Sequence, residues 1–448
     1  LFMKNLHREL AAFSEAIKEV ISSSAVEELA KEIGFVERER NFTGFHLLSL
    51  CAFHAHVGRS SLSKMCASLS THFQVSISGQ GLNQRFNTKA VQLMKEIFRS
   101  LLSLERSFPS LPVMDLFQRI RILDSTSFGV SPNQYQAFKG YHGSGVKIQL
   151  EYDLKSGEFL QFVLQEQKEP DQSFAYQIQD TVEPGDLCIR DLGYFSTQDL
   201  KAISNRKGFF LSRLHDQTGV YIETENGDFE RLDITKYEEE LAEGEYLELS
   251  VYVGKREMIP SRLVLYRLNE DEHKRRMDSF DKKEKKRGVK YTPQTKKHKV
   301  LNKVITNIPE NMVKATDLFT LYSLRWQIEL VFKGWKSIFE IDHVKAMKQE
   351  RFECFLYGRF IALLLSENLL FRIRYYLFVK KQKQLSEFKG LDIIETFLPE
   401  ISCALKKGGH SLMSLFQKVR KTLEKNGIKS KRCGKSRSIE ILDQLSQS

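Results

Sequence analysis

RIRILDSTSF (119–128) and DLCIRDLGYF (186–195) decide the fold. In each, an alternating apolar run meets an aspartate. Ile120 and Ile122 share a face with Asp124, and Leu187 and Ile189 share one with Asp191, because strand side chains alternate with period two. Each carboxylate therefore stands at the C-terminal end of an apolar strand, the edge of an α/β sheet where ligands bind. Between the two stretches, VKIQLEYD and EFLQFVLQEQ flank the turn LKSG, a hairpin signal, and a short helix is predicted around Ser173–Thr181. After them, STQDLKAISNRKG reads as a helix and FFLSRLH as a strand. The order strand, strand, strand, helix, strand, helix, strand predicts an α/β fold with a hairpin beside parallel strands.

The chain has 448 residues, with 68 Lys and Arg against 57 Asp and Glu, a net charge of +11. Such a balance favours a polyanionic partner. Hydrophobic residues make up 41%, which supports a folded core, and 25 Gly with 9 Pro exclude a collagen-like or low-complexity chain. Cys51, Cys66, Cys188, Cys354, Cys403 and Cys433 form no C-x-x-C pair, which argues against a disulfide scaffold or a structural zinc site and for a reducing compartment. The most apolar stretch, FIALLLSENLLF (360–371), is short and interrupted by Ser366, Glu367 and Asn368, so a buried helix is expected and no membrane span. The opening LFMKNLHREL lacks an apolar core, so no secretory signal is expected, and its start at Leu suggests that a few residues precede it.

Residues 1–107 have helical apolar spacing. SLSKMCASLSTHF, QVSISGQ and GLNQRFNTKAVQLMKEIFRSLLSL read as helix, turn, helix, the second helix carrying Arg85, Lys89 and Lys95. A helix-turn-helix that sets a basic helix on DNA and an ordinary helical bundle both fit this pattern. Residues 216–308 break the α/β rhythm with strands such as YLELSVYVG and SRLVLYRL. They end in a run, 274–299, of twelve Lys and Arg against three acidic residues. Beyond VITNIP the chain reads as helical, with a basic tail at KSKRCGKSR.

One further stretch carries chemistry: YSLRWQIELVFKGWK (322–336). At about 100° per residue, Tyr322, Arg325, Glu329 and Lys336 fall within roughly 60° of one another. Lys333 sits one turn beyond Glu329, and Leu324, Ile328, Val331 and Trp335 lie opposite. A surface Glu–Lys ladder gives such a stripe. So does a metal-binding carboxylate beside a phosphodiester, the cations holding phosphate and the Glu holding the ion. Two aspartates at strand ends supply the other hard oxygen ligands that Mg²⁺ requires.

These residues resemble the DDE transposases of bacterial insertion sequences, and more narrowly the IS-four group with its signature Y-x₂-R-x₃-E-x₆-K. Tyr322, Arg325, Glu329 and Lys336 match every spacing, and Asp124 in LDST and Asp191 in RDLGYF match the two aspartates. The likeness runs from about 115 to 345. It implies a ribonuclease-H-like catalytic core (111–215 and 309–370) split by a β-rich basic insertion (216–308). A helical N-terminal DNA-binding region (1–110) and a helical C-terminal region (371–448), a candidate for dimerisation, would flank it. It also implies that Asp124, Asp191 and Glu329 are the catalytic residues and hold Mg²⁺ or Mn²⁺, while Tyr322, Arg325, Lys333 and Lys336 contact DNA. The implied partners are the inverted-repeat ends of an element, target DNA and a second copy of the chain in the synaptic complex. The implied place is the bacterial cytoplasm. Relatives that cut through a DNA hairpin hold a flipped base with a tryptophan of the insertion. Here both tryptophans, Trp326 and Trp335, lie in the signature stretch, and the insertion offers Tyr221, Tyr237, Tyr246, Tyr252, Tyr266 and Tyr291. Three rival readings are a DNA-binding protein without catalysis, a ribonuclease-H-like nuclease that cuts without joining, and a helical scaffold with an incidental α/β domain. The complete carboxylate triad opposes the first. The Tyr-Arg-Glu-Lys stripe and the large insertion oppose the second.

Overall fold

The computed structural model describes residues 3–36, 41–54, 61–104, 115–131, 138–141, 143–287, 300–343, 346–407, 411–430, 441–442 and 445. Among the described residues eleven strands join in one sheet: β1 (Ile120–Gly129), β2 (Lys139–Gly140), β3 (Gly143–Asp153), β4 (Phe159–Glu166), β5 (Leu187–Arg190), β6 (Phe209–Arg213), β7 (Val220–Glu223), β8 (Phe229–Arg231), β9 (Tyr246–Val253), β10 (Ile259–Arg267) and β11 (Leu301–Thr306). β3 is antiparallel to β1 and to β4, while β5 runs parallel to β1 and β6 parallel to β5. Parallel neighbours need a crossover, which the helix Thr197–Asn205 makes between β5 and β6. Three antiparallel strands followed by two parallel ones, with helices at the expected places, give the ribonuclease-H-like core; β2 is the one small addition to the strand order read from the sequence.

The strands of 216–308 extend this same sheet. β11 pairs antiparallel with β6, and β10, β9, β7 and β8 follow outward. The first part of the basic run forms the helix Glu270–Arg287, and residues 288–299 lie outside the described residues. Residues 431–440, including Cys433, also lie outside them.

One face of the core strands, bearing Ile120, Ile122, Leu187 and Ile189, packs into the main hydrophobic core with the helices. At the centre of that layer is the helix Gln349–Lys381, which contains 360–371 and is buried along most of its length. Among the described residues it alone is long and apolar enough to cross a membrane, and the protein itself covers it. Gly358 permits a close approach to the Cys51 backbone: a Cβ there would stand 2.4 Å from the Cys51 carbonyl oxygen. The opposite face of the sheet buries charge instead. Arg121 pairs with Glu151 and with Asp186, and Arg190 pairs with Asp199. Burying these ions costs desolvation that only good pairing offsets.

The long second helix expected at 81–104 is two helices. Gly79–Arg85 ends before Asn87, whose side chain accepts from the Ala90 N–H and caps Thr88–Leu102. The latter buries Ala90, Leu93, Met94, Ile97, Phe98 and Leu101 in the core it shares with Gln349–Lys381, so Lys89 and Lys95 ride on a bundle helix, and Arg85 belongs to the shorter one.

Candidate active site

Parallel pairing of β1 with β5 runs from Ile120–Leu187 to Leu123–Arg190. The next residue on each strand is an aspartate, so Asp124 and Asp191 stand side by side at one level of the sheet. Alternation turns both toward the face that carries the signature helices. Asp124 is not a strand terminus, contrary to the sequence reading. β1 continues to Gly129 because β3 pairs with it that far, whereas β5 ends as the chain turns into the short 3₁₀ segment Leu192–Tyr194.

The signature stretch is likewise not one uniform helix. Ala315–Ser323 and Trp326–Ser337 are separate helices joined through Leu324 and Arg325. The N–H groups of Leu324, Arg325, Gln327 and Ile328 bond three residues back, to Leu321, Tyr322, Leu324 and Arg325, a tighter winding than an α-helix. Leu324, Ile328, Val331 and Trp335 are buried as their spacing requires, which fixes the opposite side toward the aspartates.

Arg325 is the centre of the site. Its guanidinium donates to Asp124 Oδ2 at 3.0 Å and to Glu329 Oε1 at 2.6 Å, and its Nε lies 3.9 Å from Asp191 Oδ1. Three elements distant in sequence thus converge on one cation, and Arg325 faces the carboxylates rather than open solvent, its side chain 14% exposed. Tyr322 is buried, and its hydroxyl reaches the Arg190 carbonyl at 3.4 Å and Asp191 Oδ1 at 3.5 Å. Lys336 donates to the Ser127 carbonyl at 3.2 Å, at the far end of β1. Lys333 is exposed, outside this cluster.

Burial pushes the Asp124 carboxyl up to about 6; the Ser125 N–H and Arg325 hold it down, and the charges of Asp191 and Glu329 raise it further. Burial opposes the charge on Arg325, yet the bond to Glu329 and the charges of Asp191 and Asp124 leave its pKa raised. Burial also raises the Tyr322 hydroxyl and lowers the Lys336 ammonium. The donor set, three carboxylates from three elements, has the hard-oxygen chemistry of a divalent-ion site. The arrangement is closed on Arg325, however, and among the described residues no group of three His, Cys, Asp or Glu side chains is placed to hold an ion as it stands.

Two residues of the site had no signal in the sequence reading. Arg213, the last residue of β6, lies over the Tyr322 ring at 5.7 Å, a contact between segments that only the sheet brings together. Trp326, next to Arg325, is 55% exposed, with Leu330 also exposed one turn on, although an aromatic in an amphipathic helix ordinarily faces the core. Of the insertion tyrosines, Tyr246 and Tyr266 pack against each other as tilted rings with centroids 4.5 Å apart, and both pack against Phe319, one turn before Tyr322. Tyr252 donates to Glu223, away from the signature helices in sequence, and Tyr291 lies outside the described residues.

The transposase DDE domain family matches residues 115–365. The transposase for insertion sequence element IS231F of Bacillus thuringiensis subsp. israelensis is 36% identical over 98% of this chain and 96% of its own length. The corresponding protein of IS231D, from B. thuringiensis subsp. finitimus, is 37% identical with the same coverage. That of IS1151, from Clostridium perfringens, is 31% identical over 98% of this chain and 97% of its own. Among solved structures, the piggyBac transposase synaptic complex with hairpin DNA aligns at a TM-score of 0.49 and 10% identity, covering 95% of this chain and 87% of that one. With the family match spanning all three carboxylates and the relatives alike over nearly their whole length, the chain belongs to the DDE transposases of bacterial insertion sequences.

Proposed function

We propose that this DNA transposase binds the inverted ends of its own element, cleaves them and joins the freed 3′-OH ends to target DNA. Asp124, Asp191 and Glu329 would hold Mg²⁺ or Mn²⁺, and two such ions when bound activate the attacking oxygen and stabilise the leaving one. The observation that carries this reading is the convergence of the three carboxylates, two at one level of parallel strands and one on the signature helix. Around them the chain's own cations position the phosphodiester: Lys336 from the rim by β1, Lys333 from the exposed turn, and Arg325 by its planar fork. Tyr322 orients Asp191 through its hydroxyl, and Arg213 braces the ring.

In this reading residues 1–110 contribute to end binding, the basic helix Glu270–Arg287 lies along DNA, and the region 371–448 pairs two copies in the synaptic complex, within the bacterial cytoplasm. The test separates binding from chemistry. Asp124→Ala, Asp191→Ala or Glu329→Ala should each abolish cleavage and strand transfer while end binding persists in a gel shift, because affinity comes from cations on phosphates. Strand transfer by Glu329→Ala at the parent rate would defeat the triad assignment. Cutting without joining by the parent protein would favour the nuclease.

A further inference from the structure

Arg325 engages the three carboxylates that would hold a metal ion. It bonds to Asp124 and Glu329 at 3.0 and 2.6 Å and stands 3.9 Å from Asp191, so one guanidinium engages every carboxylate of the triad. An incidental helix ladder would pair it with Glu329 alone, four residues along. Here the tight winding at Leu324 and Arg325 carries the side chain across to both catalytic strands. Lys333 and Lys336, on the same stripe, do not enter this cluster. A guanidinium and a divalent ion compete for the same oxygens and repel each other, so the arrangement that satisfies Arg325 excludes the ion.

We infer that Arg325 is a counter-ion gate: in the DNA-free protein it neutralises and closes the triad, and a DNA phosphodiester draws it away and opens the carboxylates to metal. A phosphate offers the planar fork the same two-point pairing that the carboxylates do, so the exchange keeps its hydrogen bonds. DNA binding and metal binding are thereby coupled, and the coupling is reciprocal. Its use is to keep a hydrolytic site unloaded until the substrate phosphate is present. Arg325 is a positioning residue in this role, and the inference rests on the metal-site reading above.

The test is Mn²⁺ binding by the full chain, read from the EPR signal of free Mn²⁺, without DNA and with a pre-cleaved end duplex. Without DNA, Arg325→Gln should bind Mn²⁺ at least tenfold more tightly than the parent. The duplex should tighten Mn²⁺ binding by the parent at least tenfold and by the variant less than threefold. Ca²⁺ should in turn tighten duplex binding by the parent and not by the variant. Should Arg325→Gln fail to fold by circular dichroism, Arg325→Lys, whose point charge cannot span three carboxylates, should still tighten DNA-free binding at least threefold. Asp124→Asn is the control. If it abolishes Mn²⁺ binding while both Arg325 variants bind no more tightly than the parent, the gate is overturned and the metal site stands. If Mn²⁺ binding is indifferent to Asp124→Asn, the metal site and the gate fall together.

Discussion

The Trp335 indole N–H donates to Glu367 Oε1 at 3.3 Å, tying the signature helix Trp326–Ser337 to the long helix Gln349–Lys381 inside the core. Both side chains are buried, so the signature helix is anchored to the helical layer by a carboxyl group held away from water.

That burial has a pH signature. It pushes the Glu367 carboxyl up to about 8, with Glu387 raising it further and the Trp335 bond and Arg374 lowering it. Because the folded value lies above the ordinary 4.5, the folded state binds this proton more tightly. The contribution is complete below 4.5 and is lost as pH rises through 8. Glu367→Gln, permanently neutral, should lack this loss. Urea unfolding of both proteins from pH 4.5 to 8 should show the parent falling behind the variant, by at most about 1.4 kcal/mol per pH unit. A constant difference across the window would contradict it.

Behind β5, Asp199 is the near partner of the buried Arg190, with Glu151 3.8 Å away. Asp199→Ala should strand that guanidinium and cost about 3 to 5 kcal/mol in chemical denaturation. Cleavage should fall in parallel, since Arg190 immediately precedes Asp191. A loss under about 1 kcal/mol would show that Glu151 suffices.

Lys336 bridges from the signature helix to the Ser127 carbonyl. If it also positions a phosphate, Lys336→Gln should keep the fold yet slow cleavage of pre-formed end complexes at least tenfold, because a displaced phosphodiester loses its in-line geometry. A parent rate with lowered stability would confine Lys336 to holding β1.

The basic helix Glu270–Arg287 should be read by salt. Charge reversal at Lys282, Lys283, Lys285 and Lys286 should reduce the log–log salt dependence of end binding by a few units, the expected effect of losing several phosphate contacts. An unchanged slope would make the run a solvated face.

Much of this protein was legible in local pattern. Period-two alternation through Ile120, Ile122 and Asp124, and through Leu187, Ile189 and Asp191, depends only on neighbouring residues, and so did the strand and helix order of the core. The spacing of Tyr322, Arg325, Glu329 and Lys336 selected the family. What the sequence could not specify was long-range. The Leu123–Arg190 register sets Asp124 level with Asp191, and it is decided by how two strands pair across a crossover. The break at Leu324–Arg325 overrides helical periodicity because tertiary packing and the carboxylates draw Arg325 inward. The insertion strands could have formed a separate sheet, but the free edge of β6 recruits β11. Residue types and spacings depend on local chemistry, whereas the direction in which a charged side chain turns is settled by which opposite charges the folded chain brings within reach.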